Sequence, residues 1–285
     1  MKKPIITERQ MTVIYFIMAS IFTLILIFPI YWMLISSFKG EAEIFAVTPT
    51  FYPKDPTLAG YIKMVVSRSG GVPFSMTFRN SLVISSLVTV ITTFLTVPGA
   101  YGLARFRYKR INQPVLFMFL ISQMLPQVLF LGPLFIIFRN FNIQGSFLSP
   151  SIFVTLHSIP FSVLIMRPYF MNIPKELEDS AIIDGCNKFS CFIKIMLPMA
   201  YPIVIVVTAL SFLWGWGDLM GAITFLNKQY MMPLTTLMYR ASTAETMDWT
   251  TLMAFSSVIV VPATIIFLSL QRFIIGGLTA GSVKG

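Results

Sequence analysis

Side chains able to do chemistry are few among these 285 residues, and the acidic ones cluster. With a single histidine, His157, no Ser-His-Asp set or metal-ligand set can be assembled convincingly, and the absence of any Gly-Lys dipeptide excludes a GxxxxGK[ST] phosphate loop. Four of the eleven acidic residues nevertheless fall within a short stretch ahead of Gly185. They are Glu176, Glu178, Asp179 and Asp184. Such a stretch predicts a recognition surface rather than a catalytic site.

The composition predicts an integral membrane protein. The chain is 56% hydrophobic and 11% charged, with a mean hydropathy of +0.79, whereas soluble domains carry about 25% charged residues. A net charge of +10 would suit nucleic acid, but the basic residues flank apolar runs, as membrane topology requires. We therefore expect membrane lipid, and no nucleic acid, around this chain. Cys186 and Cys191 lack CxxC spacing and are predicted to be free thiols.

Six apolar windows without Asp, Glu, Lys or Arg are each long enough to cross a bilayer as a helix. The first is too long for a signal-peptide core and lacks a small-residue cleavage site, so we interpret it as a retained span. The prediction is an all-α integral membrane fold with six transmembrane helices. The windows cover residues 11–38, 80–104, 111–138, 140–166, 195–217 and 249–271.

Basic residues orient these spans. The compact RFRYKR segment after the second window is the clearest signal for the cytoplasmic side. Both termini are then cytoplasmic, and the inverted topology is the alternative. The basic residues placed inside are Lys2, Lys3, Arg9, Arg105, Arg107, Lys109, Arg110, Arg167, Lys175, Lys188, Lys194, Arg272 and Lys284.

The spans carry no sign of an ion-coupled energy source. Ion-coupled carriers place ionisable groups at membrane depth, and here only His157 lies deep in a window. A lone histidine is more often a hydrogen-bonded packing residue than a proton relay. If the protein moves solute against a gradient, the energy comes from another subunit.

The acidic stretch lies in the predicted cytoplasmic loop 171–194 and has the signature of a short helix. Asn172 could cap that helix, Pro174 suits its first turn, and the helix dipole favours the acidic residues near its start. Gly185 offers either a helix stop or a bare backbone that another surface can approach. The scarcity of Lys and Arg favours a protein partner over anionic lipid. One side of the helix is predicted to present Leu177, Ser180, Ala181 and Asp184.

The loop resembles that of type I importer permeases of ATP-binding cassette (ABC) systems. Their pattern is Glu-Ala-Ala, three residues, Gly, nine residues, Ile, one residue and Leu-Pro. Here Asp179-Ser180-Ala181, Gly185, Ile195 and Leu197-Pro198 match the spacing, with Asp for Glu and Ser for the first Ala. Further stretches resemble the carbohydrate-uptake branch, that of the second maltose-type permease subunit. They are NSLVISSLVTV, PGAYGLARFRYKR, MLPQVLFLGPLFIIFRNFNIQGS, PFSVLIMRPYFMNIPKELE and QRFIIGGLTAGSVKG.

The resemblance implies half of a sugar pathway in a bacterial inner membrane, with a second homologous permease as the partner. Two ATPase subunits holding ATP and Mg²⁺ would act below, and a solute-binding protein would deliver sugar from outside. The resemblance implies three divisions. Residues 1–75 hold the N-terminal transmembrane helix and an extracytoplasmic loop, and residues 76–275 form the transmembrane domain with a coupling loop at 172–198. Residues 276–285 form a cytoplasmic tail whose GSVKG end reaches the ATPases. The implied coupling residues are Glu178, Asp179, Ser180, Ala181, Asp184, Gly185, Ile195, Leu197 and Pro198.

Solute contacts are harder to place from the sequence. Planar hydrogen-bonding and aromatic groups suit sugars, and packing or interfacial anchoring is the alternative role for each. Two functions remain as alternatives to an ATP-driven importer permease: a self-sufficient secondary carrier or facilitator, and a membrane sensor or scaffold. The candidates for the pathway are Gln123 and Gln127, expected on one helical face, together with His157, Trp214 and Asp218.

Overall fold

The regular structure of the protein is helical throughout the ranges that a computed structural model describes, residues 8–66, 72–105, 109–243 and 248–279. A π-helical turn at Phe192–Met196 and 3-10 turns at Gln127–Phe130 and Gln229–Met231 interrupt the α-helices. Helices α1 to α14 cover, in order, Glu8–Ser36, Glu41–Ile44, Ala59–Val66, Phe74–Arg105, Lys109–Met124, Leu131–Asn140, Leu148–Asn172, Glu176–Ile183, Lys188–Cys191, Leu197–Met199, Tyr201–Gly217, Met220–Phe225, Leu234–Ser242 and Trp249–Thr279.

Four helices, α1, α4, α7 and α14, are long and apolar enough to cross a membrane. The third and fifth predicted spans are not single helices, and the prediction was wrong there. The third bends by 102° between Met124 and Gln127, and the fifth bends by 79° at Ala200. Pro126 lies at the first bend, and Pro198 and Pro202 flank the second. Proline favours a break in a helix because it removes a backbone donor and disfavours helix in the residue before it.

The chain divides into two compact units, Met1–Arg68 with Arg240–Val258, and Ser69–Tyr239 with Ile259–Gly285. In the first unit the Lys39 side chain is 2% exposed, donates to the Thr50 carbonyl and lies 4.5 Å from the centre of the Trp32 ring. Lys63 pairs with Asp248 at 2.6 Å. The segments between the predicted spans at residues 39–79 and 218–248 hold the short helices α2, α3, α12 and α13.

In the second unit, helices α4, α7 and α11 pack against one another through small and hydroxyl-bearing residues. Thr92 and Ser158 share a hydrogen bond of 2.9 Å between α4 and α7. A Cβ added to Gly215 of α11 would lie 2.8 Å from the Cα of Ser85. Close backbone approach of this kind is how helices associate where burial of apolar surface gives no driving force.

Gly215 gives the first prediction. Gly215→Val should destabilise the second unit by about 1–3 kcal/mol, because the new side chain meets backbone that cannot rotate away. Thermal unfolding of the purified protein in detergent measures this. The matched control is Gly132→Val in α6, since a Cβ there meets nothing within 4 Å. Equal unfolding temperatures for the two variants would contradict the packing argument.

One apolar cluster joins the helices around the acidic loop. Its side chains come from α4, α7, α8 and the segment leading into α11, so the loop is packed onto the long helices rather than free in solvent. Tyr101 of α4 extends the cluster, with its ring centre 4.8 Å from that of Phe192. The buried members are Val97, Ala100, Val163, Met166, Phe170, Ile173, Ala181, Cys191, Met196, Ala200 and Val207.

Candidate functional site

Helix α8 carries the acidic stretch, but it begins later than the sequence indicated. Helix α7 continues through Asn172, and α8 starts at Glu176 after Lys175. Asn172 is therefore not its cap, and Pro174 lies in the connection between the two helices. Glu176, together with Glu178 and Asp179, does occupy the first turn, where the helix dipole stabilises negative charge.

Gly185 terminates α8, and this helix end is one of the two roles that the sequence predicted for it. Its φ is +88°, and the Gly185 and Cys186 amides donate to the carbonyls of Ile182 and Ala181 at 3.0 and 2.9 Å. This is the paired hydrogen-bond pattern of a left-handed helix end, which glycine adopts without steric cost. A Cβ on Gly185 would meet nothing within 4 Å, so the constraint inside this chain is conformational and not steric.

The side of α8 that the sequence predicted to be presented is exposed only in part: Leu177, Ser180 and Asp184 are exposed, but Ala181 is not. Ala181 is 4% exposed and packs into the apolar cluster, because its side faces the long helices. The outward face presents Asp179, Ile182 and Ile183, the last of which is 85% exposed. Phe189, just beyond α8, is 72% exposed. The loop thus offers acidic and large apolar side chains together.

A nearly buried ion pair fixes α8 to the ends of the long helices. Arg105, the last residue of α4, donates from Nε to Glu178 at 2.8 Å and from a terminal nitrogen to the Ile173 carbonyl at 2.8 Å. The Arg105 and Glu178 side chains are only 7% and 16% exposed. Arg167 of α7 donates to the Leu103 carbonyl at 3.1 Å, which satisfies an end carbonyl of α4.

The remaining motif residues lead from α8 into α11. The Asn187 side chain caps α9 by accepting from the Ser190 amide at 2.8 Å. Ile195 lies in the π-helical turn, and Leu197 and Pro198 form the short helix before the bend at Ala200. Single π-helical turns recur at functional sites. Cys186 and Cys191 are free thiols, as predicted.

The structure brings the five candidate pathway residues to two adjoining cavities. Gln123 lies on α5 and Gln127 in the 3-10 turn after the bend, so they do not share one helical face as predicted. Both nevertheless line the smaller cavity, with His157. The larger cavity is lined by Gln127 and His157 again, and by Trp214 and Asp218.

Asp218 also has a structural role. Its carboxylate oxygens accept from the Gly221 and Ala222 amides at 3.1 Å each, and its carbonyl accepts from the Thr235 hydroxyl at 2.8 Å. Burial raises the pKa of the Asp218 carboxyl to about 6, against the lowering effect of the two amide hydrogen bonds. Asp218 is therefore held in place by backbone donors, and its charge is weakly solvated.

The loop, the bends and the cavities all lie within a segment that matches a known protein family. Residues 96–279, which include the loop, both bends and both cavities, match the family described as the binding-protein-dependent transport system inner membrane component. The chain belongs to this family of ABC importer permeases. It is accordingly a multi-pass protein of the inner membrane.

This permease is similar to two known relatives and to one solved structure over more than nine-tenths of its length. It is 33% identical to the inner membrane ABC transporter permease protein YcjP of Escherichia coli, over 93% of this chain and 94% of the relative. It is 29% identical to the diacetylchitobiose uptake system permease protein DasC of Streptomyces coelicolor, over 91% and 92%. A chain of a bacterial ABC transporter for import of the acidic polysaccharide alginate has the same fold, with a TM-score of 0.77 and 20% identity over 95% and 99% of the two chains.

Sequence reasoning missed the contacts of two arginines of the permease: Arg105 holds α8 through Glu178, and Arg167 joins α7 to α4 through the Leu103 carbonyl. Both were interpreted only as markers of the cytoplasmic side. Arg105 is the last residue of a long helix that precedes an acidic loop in the chain, and that position could have suggested the ion pair with Glu178. The predicted tail contact of residues 281–285 lies outside the described residues.

Proposed function

We propose that the permease forms half of the transmembrane pathway of a binding-protein-dependent importer for a sugar, most naturally a di- or oligosaccharide. The observation that carries this is the α8 loop, which is rigidly attached on its inner side and presents acidic and apolar side chains outward. The substrate class is supported by the relative from a diacetylchitobiose uptake system and by the structural neighbour from an alginate importer.

In this proposal the chain crosses the membrane six times, with each bent pair counted as one span and both termini in the cytoplasm. Residues 1–75, 76–275 and 276–285 are its divisions, and 172–198 is the coupling loop. The partners are a second homologous permease, two ATPase subunits that hold ATP and Mg²⁺ and hydrolyse the nucleotide, and an extracytoplasmic solute-binding protein.

The coupling helix is α8, and its outward residues Asp179, Ile182 and Ile183 would seat in the ATPase subunit. ATP can bias the outward-facing state only through contacts that differ between the two states. Movement of α8 would pass through the Arg105–Glu178 pair to α4, and through the apolar cluster and the bend at Ala200 to α11. Ser180, Asp184 and Gly185 are proposed to contact the ATPase subunit as well, because they are exposed on the same loop.

Reconstitution into liposomes tests the proposal and gives the second prediction. The complete assembly should accumulate sugar only with internal ATP and external binding protein, and the permease alone should give no flux. Lack of flux follows from the proposal because this chain alone forms only half of the pathway, and because no span carries Asp, Glu, Lys or Arg that could couple accumulation to an ion. Flux by the chain alone would favour the secondary carrier or facilitator instead, and normal cellular uptake after deletion would favour a sensor or scaffold.

A further inference from the structure

The two cavities of the second unit adjoin at Gln127 and His157. Their volumes are about 190 Å³ and 340 Å³, the larger within the range of small-molecule sites. They lie where α5 breaks before Gln127 and where α11 ends at Gly217. The break between Met124 and Gln127 interrupts a candidate span, and interrupted spans are tolerated where they line a cavity and mark the solute sites of many transporters.

Several polar groups in these cavities have hydrogen-bonding capacity to spare. Within the described part of the chain, the Gln127 amide, the His157 ring and the Trp214 indole N–H make no hydrogen bond. The Gln123 amide differs, because its nitrogen donates to the His157 carbonyl at 3.1 Å. All four side chains are half-buried. Polar groups away from bulk water require partners, so their convergence on one space points to a hydroxyl-bearing ligand.

The ring of Trp214 is held in a fixed orientation beside this polar set. Its centre lies 5.3 Å from that of Phe161, with the rings nearly perpendicular. Phe130 and Phe153 line the smaller cavity. A pyranose offers apolar C–H faces and polar edges, so flat aromatic surfaces next to neutral donors and acceptors suit it.

The charge of the cavities narrows the ligand class. Neither lysine nor arginine is among their described lining residues, and the one carboxylate, Asp218, has each oxygen engaged by a backbone amide. An acidic sugar would bring a second negative charge into weakly solvating surroundings without a cation to balance it. A neutral sugar meets no such penalty.

We propose that these joined cavities are the sugar-binding part of the pathway contributed by this permease, and that they accept an uncharged pyranose in preference to a uronic acid. The inference rests on the proposed function and makes it specific. It separates this chain from its structural neighbour, which belongs to a transporter of an acidic polysaccharide.

The first experiment separates solute binding from coupling to the ATPases. In the complete reconstituted assembly, Gln127→Ala and Trp214→Ala should each lower sugar uptake about tenfold, as expected for loss of a ligand hydrogen bond or aromatic face. ATP hydrolysis stimulated by the loaded binding protein should stay within about twofold, because the α8 loop is untouched. Gln144→Ala is the matched control, a half-buried glutamine that does not line either cavity.

Unchanged uptake in both cavity variants would overturn the proposal, and so would a parallel loss of uptake and stimulated hydrolysis, which indicates a structural role. Absence of uptake by the wild-type assembly would instead count against the proposed function. The two failures are therefore distinguishable.

The second experiment tests the ligand class without the binding protein. In the permease–ATPase complex bearing Gln127→Cys, mass spectrometry follows alkylation at position 127 with maltose, diacetylchitobiose or an alginate trisaccharide present. At least one neutral sugar should slow alkylation severalfold, the alginate trisaccharide should not, and Gln144→Cys should be unaffected by any of them. Equal protection by the uronate, or protection by none, would overturn the assignment, the latter leaving water-filled cavities.

Discussion

Replacing Gly185 with valine is expected to abolish sugar uptake and binding-protein-stimulated ATP hydrolysis while leaving membrane insertion intact. A φ of +88° disfavours any side chain by about 1–2 kcal/mol and a β-branched one most strongly. The hydrogen bonds from Gly185 and Cys186 that close α8 would then be lost or shifted. Uptake, stimulated ATP hydrolysis and membrane content of the variant assembly measure this result.

Two further substitutions show why the position is glycine. Gly40→Val is the control, since Gly40 lacks a positive φ and a Cβ there also meets nothing within 4 Å. Gly185→Asn keeps a residue that tolerates the left-handed conformation. Retained activity with Asn would assign the glycine to the helix end, whereas loss with both Asn and Val would assign it to close approach by the ATPase. Normal uptake by Gly185→Val would contradict the coupling role.

Breaking the Arg105–Glu178 pair is the second change expected to have a large effect. Arg105→Ala leaves Glu178 with little solvent and no cation, which typically costs about 3–5 kcal/mol for a buried pair and less here because both groups keep some exposure. It also removes the donor to the Ile173 carbonyl. We expect uptake to fall at least about tenfold and the unfolding temperature to drop.

The reciprocal exchange tests the pair itself. Arg105→Glu with Glu178→Arg should recover part of the uptake lost in either single variant, although the bond to Ile173 stays absent. Arg139→Ala, at an exposed arginine of α6, should leave uptake unchanged. If the exchange restores nothing while each single variant is inactive, the two residues act separately and the proposed route from α8 to α4 is wrong.

Helices α8 and α9 of the loop each present an exposed large apolar side chain. Ile183 is 85% exposed and Phe189 is 72% exposed. In the proposed contact with the ATPase subunit, the acidic side chains near them would set orientation and selectivity, whereas burial of the apolar ones would supply binding energy. This combination explains why a stretch rich in carboxylates also contains isoleucine and phenylalanine.

Periodicity and composition reached much of the fold because they report local constraints. Uncharged windows located α1, α4, α7 and α14, since a bilayer requires long uncharged helices. The acidic residues predicted a short helix in this loop, although its start was placed too early at Asn172, and Gly185 gave its end as one of two alternatives, since helix dipole and left-handed conformation depend on neighbours in sequence. The loop motif and its spacing likewise led to the permease family, which the family comparison confirmed.

Tertiary structure alone decided the rest. The prolines in an apolar window do not by themselves tell whether its helix bends: the third window bends by 102° near Pro126, whereas Pro98 and Pro160 lie inside the continuous helices α4 and α7. The inward face of α8 was set by the cluster that receives Ala181, and Arg105 meets Glu178 across 73 positions of sequence. The cavity shared by Gln127, His157 and Trp214 arises likewise from helices distant in the chain, so no local pattern could place it.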